Sequence, residues 1–91
     1  MKAATLKLVD PTSAEIDFLR SELSTGLTLT GIAQDSRDRA RADRNRANAR
    51  KAYDAVKRFV PRVALSPDET NEINAKLEQL RSELQHLGEE I

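Results

Sequence analysis

Apolar positions recur at helical intervals in three stretches of the chain. In the first, Ile16, Leu19 and Leu23 are spaced three and four residues apart, with Phe18 beside them. Upstream, Asp10-Pro11-Thr12-Ser13-Ala14-Glu15 is a helix start. Either Asp10 caps with Pro11 at the first helical position, or Thr12 caps with Glu15 in a capping box. Gly26 followed by Leu27 predicts the helix end, since glycine takes the left-handed conformation that closes many helices. Thr28 to Ser36 reads as either a short extra helix or a structured bend. From about Asp35 to Val60 nothing breaks a helix, and alanine and arginine, both good helix formers, dominate. Ala49, Ala52, Tyr53, Val56, Phe59 and Val60 form its apolar stripe, and Pro61 ends it. The third stretch opens with Ser66-Pro67-Asp68-Glu69, a capping box with Pro at the first helical position. Ile73, Leu77, Leu80, Leu84 and Leu87 follow at spacings of 4, 3, 4 and 3, and Gly88 is placed as the C-cap glycine.

Three helices with short connections predict an all-α fold, an antiparallel up-down-up three-helix bundle. Residues 1–10 read as an extended arm with Leu6 and Leu8 on one side. Residues 11–91 read as a single domain. The expected core is Ile16, Leu19, Leu23, Leu27, Ile32, Tyr53, Val56, Phe59, Val60, Ile73, Leu77, Leu80, Leu84 and Leu87.

Composition narrows the chemistry. The 91 residues include no Cys, no Trp and a single His, His86. That excludes a disulfide scaffold, a cysteine zinc module and a thiol nucleophile. His86 sits at the edge of the leucine seam with no second His in register, so it carries no metal or catalytic assignment. No paired-acid site and no phosphate-cradling glycine loop is present, which leaves no cofactor to assign. No apolar run approaches a membrane span or the core of an export signal, so no membrane partner and a cytoplasmic location are the expectation.

The charge is balanced at 15 basic and 15 acidic residues, but it is unevenly placed. Residues 36–62 hold 10 basic and 3 acidic side chains, whereas residues 63–91 hold 2 basic and 7 acidic. Either the two segments pair with each other, or the basic one is kept for an anionic partner. The densest part of the basic segment is Arg37, Arg39, Arg41, Arg44, Arg46 and Arg50. At 100° per residue Arg37, Arg41 and Arg44 fall on one side of the helix, while Arg39, Arg46 and Arg50 form another row. Pairing is expected with Asp38, Asp43 and the acidic third helix. Asn45 and Asn48, poor helix formers, are expected to reach the backbone of the Thr28–Ser36 bend.

Residues 48–61 resemble the second helix of a tetratricopeptide-type hairpin. That family places a small residue, an aromatic four later, a small residue three later and a proline five after that. Ala49, Tyr53 and Pro61 match, and Val56 stands where alanine is usual. Ala33, Ser36, Arg37 and Ala40 occupy the places of the Trp-Leu-Gly-Tyr pattern of the preceding helix, so that half departs from the family. The three-helix layout is also similar to microtubule-interacting-and-trafficking domains. Both families are peptide-binding scaffolds without catalysis. The resemblance therefore implies a non-catalytic helical protein-interaction or scaffold module whose partner is a protein of unknown identity; the arginines, not the resemblance, make an acidic protein one candidate. The alternative is a small nucleic-acid-binding protein that uses the arginines of the second helix against phosphates.

Overall fold

The computed structural model describes residues 11–91. It contains three α-helices: α1 (Pro11–Asp35), α2 (Arg39–Phe59) and α3 (Pro67–His86). A single 3-10 turn, Val60–Arg62, follows α2 directly. The extended arm expected over residues 1–10, including the Asp10 cap, lies outside the described residues. Helix α1 is already helical at Pro11 and Thr12.

The described residues form an all-α, up-down-up three-helix bundle. Phe18 meets Phe59 and Gly26 meets Ala52, which sets α1 antiparallel to α2. Arg20 pairs with Glu72 and Thr30 with Glu83, so α1 and α3 run parallel with α2 returning between them. The three-residue connection Ser36-Arg37-Asp38 makes α1 and α2 a tight αα-hairpin.

Helix α1 runs through Gly26 without stopping, so the expected helix end there is wrong, and no separate short helix lies between α1 and α2. Gly26 is fully helical because of what lies above it. A Cβ at this position would stand 2.7 Å from Leu80 Cδ2 and 3.4 Å from the Ala52 Cβ. The glycine makes room for a leucine of α3 against the backbone of α1. Past it, Thr30 and Ala33 are buried and hold the extra turns in place. Burial of this kind overrides the roughly 1 kcal/mol by which glycine disfavours a helix interior.

Helix α2 begins at Arg39, four residues later than the uninterrupted pattern suggested. Asp38 stops the chain as N-cap, its Oδ1 accepting from the Ala40 and Arg41 backbone N–H groups at 3.0 and 3.3 Å. At the other end the proline falls where expected, inside the turn that carries the chain toward α3.

Helix α3 carries the expected capping box. The Glu69 N–H donates to Ser66 Oγ at 3.1 Å, and the Ser66 N–H donates to Glu69 Oε1 at 2.8 Å. Its C-terminus closes on Gly88 at φ +102°. The Gly88 N–H donates to the Gln85 carbonyl at 3.0 Å, and the Glu89 N–H to the Leu84 carbonyl at 3.0 Å. These two bonds are the Schellman pattern, and they turn Glu89 back along the bundle. Ser66→Ala should lower stability by about 1 kcal/mol, because the Glu69 N–H then loses its acceptor. A urea melt that superimposes on the unmodified protein would refute this.

The core is narrower than the apolar pattern implied. Ile16, Leu19, Leu23, Tyr53, Val56, Ile73, Leu80 and Leu84 are buried as expected. Leu27, Ile32, Phe59, Val60, Leu77 and Leu87 are only half-buried. Their places are taken by small residues at the helix crossings: Gly26, Ala33, Ala49 and Ala52 are buried, along with Thr30. Small residues let the three backbones approach, so the large ones beside them remain at the edge of the contact. Phe59 packs edge-on against the exposed Phe18, ring centroids 5.5 Å apart, with the Arg62 guanidinium 6.0 Å above its ring.

Candidate functional site: the arginine face of the hairpin

The end of α3 decides the fate of the arginines. Glu89, delivered by the Gly88 turn, meets α2 at its middle. Arg50 Nη1 donates to Glu89 Oε1 at 2.8 Å, and Arg50 Nε donates to Asp54 Oδ1 at 3.1 Å. The Arg46 Nε lies 3.0 Å from Glu89 Oε2, and its Nη1 lies 3.2 Å from Asp43 Oδ1. The Arg46 N–H points off the line to Glu89, so that contact is ionic rather than a hydrogen bond. Asp54 first, and then Glu89, raises the Arg50 pKa above its already high ordinary value.

Toward the N-terminus of α2, the ion pairs that the described residues make to Glu89 stop at Arg46. The last turn of α1, the Ser36–Asp38 connection and the first turns of α2 therefore form a two-helix tip. The shape follows, with extents of 53 × 23 × 17 Å. Arg37, Arg39, Arg41 and Arg44 lie on this tip, and all four are exposed. Among the described residues, none of them has a carboxylate within 4.0 Å. The six arginines thus separate into a paired couple, Arg46 and Arg50, and four that have no carboxylate partner among the described residues.

Two pairing expectations need correction. Asp38 does not neutralise an arginine, because its carboxylate caps α2. The acidic third helix does not lie along the basic stretch either. It reaches it only through Glu89, which follows the helix, while Glu72 and Glu83 face α1 and Glu78 pairs with Arg81 at 3.1 Å within α3. The asparagines also differ from expectation. Asn45 Nδ2 donates to the Arg41 carbonyl of its own helix at 3.0 Å, and Asn48 is exposed. His86 is the last residue of α3 and is exposed.

Two polar contacts that no sequence pattern singled out tie α1 to α3. Thr30 Oγ1, wholly buried, stands 2.9 Å from the Leu27 carbonyl and 2.5 Å from Glu83 Oε1, so one hydroxyl proton faces two acceptors. Nearer the start of both helices, Arg20 grips Glu72 in a two-point contact, Nε to Oε2 at 2.7 Å and Nη2 to Oε1 at 2.9 Å. Bidentate pairs of this kind are the strong ones among exposed ion pairs. The Arg20 hydrogen bonds hold the Glu72 carboxyl below its ordinary pKa. A carboxyl depressed in the fold stabilises it at pH values above the ordinary carboxyl pKa of 4.5. That contribution is lost as pH falls through the depressed value. Arg20→Gln should therefore flatten the acid limb of the stability profile below about pH 4.5. Urea midpoints measured from pH 6 downward test this, and parallel profiles for the two proteins would contradict it.

Among the described residues no helix is long and apolar enough to cross a membrane, and no group of three or more His, Cys, Asp or Glu side chains is placed to hold a metal ion. No family model, curated protein or solved structure matches the chain.

Proposed function

We propose that the chain is a non-catalytic helical interaction module that presents the hairpin tip to an acidic protein. One observation carries the reading: Arg46 and Arg50 are engaged inside the molecule, while Arg37, Arg39, Arg41 and Arg44 stand exposed without a carboxylate partner among the described residues. A charge row with no role in holding the bundle together is available to something else. An acidic protein suits the tip better than a nucleic acid does. Asp35, Asp38 and Asp43 are interspersed among the free arginines and would oppose a continuous run of phosphates. Discrete carboxylates can be placed between them. No aromatic side chain accompanies the arginines to stack on a base.

The test is a titration of the protein against labelled polyglutamate and against a labelled DNA duplex, at about 50 and 150 mM salt. Polyglutamate should bind more tightly than the duplex at the higher salt. Replacing Arg37, Arg39, Arg41 and Arg44 with glutamine should abolish binding and leave the melting temperature unchanged. Replacing Arg46 and Arg50 should instead lower the melting temperature. A duplex bound more tightly than polyglutamate at about 150 mM salt would replace this reading with the nucleic-acid one.

A further inference from the structure

The tip carries a glycine that the bundle does not need. Gly26 and Gly31 both lie inside α1, yet they differ in kind. A Cβ at Gly26 runs into Leu80, whereas a Cβ at Gly31 meets nothing within 4 Å. Glycine in a helix interior is unfavourable relative to alanine. At Gly26 close packing explains it, and at Gly31 nothing among the described residues does. Gly31 and the half-buried Ile32 line a shallow groove at the tip, whose lining also includes Arg37 and Arg41 and the acids Asp35 and Asp38. The groove therefore combines a bare stretch of helix backbone, an apolar side chain and two guanidinium groups unpaired among the described residues.

Resting on the reading above, we infer that this groove docks an acidic amphipathic helix of the partner protein. An apolar side chain of that helix packs on Gly31 and Ile32, and its carboxylates reach Arg37 and Arg41. The absent Cβ allows the second helix to approach the backbone of α1, as small residues do at close helix crossings within this bundle. Contact with Gly31 and Ile32 distinguishes such a helix from a purely charged strand, which would need only the arginines.

The probe is a labelled peptide of glutamate, alanine and leucine, with leucines at i, i+3, i+4 and i+7. A scrambled peptide of the same composition and polyglutamate are the controls. The patterned peptide should bind the full chain more tightly than either control. Gly31→Ala should raise the melting temperature, because the helix gains propensity without a clash, and yet weaken the patterned peptide. Gly31→Leu, which fills the groove, should weaken it by at least about tenfold. Polyglutamate binding should be unaffected by both changes. If the patterned peptide binds both glycine variants as tightly as the original, the groove is not its site and the inference falls. The free-arginine reading then still stands on polyglutamate. If neither peptide binds below about 1 mM, both fall.

Discussion

Leu80→Ala is expected to destabilise the domain by about 3–4 kcal/mol, the upper half of the range for a buried leucine. Leu80 is wholly buried and sits where α3 crosses both other helices, its δ methyls pressed toward the bare backbone at Gly26. The penalty for a deleted leucine depends on how far the surroundings can collapse into the space it leaves. Here they can collapse little. On the α1 side the wall is helix backbone, and α1 and α3 are pinned together before the site by Arg20 with Glu72 and after it by Thr30 with Glu83. Domains of this size have about 5–14 kcal/mol of total stability, so the loss removes a large share. Urea unfolding with an unchanged m-value is the measurement. Leu77→Ala serves as the internal contrast. Leu77 belongs to the same leucine row but is half-buried, and its loss should be near 1 kcal/mol. Equal losses at the two positions would mean that the crossing is not where Leu80 places it.

That contrast also marks what could be read from the residues alone. The four apolar positions of α3 and Leu87 at its C-cap look alike in sequence, and their period fixes the helix and its face. Which of them is covered depends on where neighbouring helices carry small residues, and that is set by α1 and α2. The ends of the helices behave differently. The Ser66 box, the proline beside it and the Gly88 turn are each complete within a few residues, so the sequence already contains every group that takes part. Gly26 shows the limit of the same reasoning. A glycine followed by a leucine after a helical stretch is a legitimate stop signal, and only Leu80, remote in sequence, converts it to a helical position.

The arginine row was legible as a row but not as two sets. Arg39, Arg46 and Arg50 share a side of α2, and nothing local distinguishes them. The division comes from where α3 ends. Its Schellman turn places Glu89 opposite Arg46 and Arg50 and leaves Arg39 beyond reach. A partial signal did exist. Once Gly88 is taken as the C-cap glycine, the residue after it must fold back toward the bundle, and that residue is an acid. The proposed interaction module builds on this division, with its proposed contact residues at the N-terminal end of the stretch.

Gly26→Leu is expected to cost about 2–4 kcal/mol, because the new side chain must enter space that Leu80 fills. The smaller change, Gly26→Ala, separates the two forces at the crossing. Alanine favours the helix by about 1 kcal/mol over glycine, while its Cβ brings an overpacking penalty of about 1–3 kcal/mol. The obstructing atoms are the Leu80 methyls, at 2.7 and 3.3 Å from the added Cβ, whereas the Ala52 Cβ at 3.4 Å is an ordinary contact. Gly26→Ala alone should therefore be neutral to destabilising by up to about 2 kcal/mol. In a Leu80→Ala background the obstruction is gone. The same Cβ then occupies part of the cavity and keeps its helical advantage, so Gly26→Ala should become stabilising by about 1 kcal/mol. The sign of one substitution thus reverses with the identity of a single residue on another helix. A double-mutant cycle in urea reads the coupling directly, and a value of about 1–3 kcal/mol is expected. Additivity within about 0.5 kcal/mol would mean that Leu80 does not rest on Gly26, and the explanation of why α1 runs unbroken through that glycine would have to be given up.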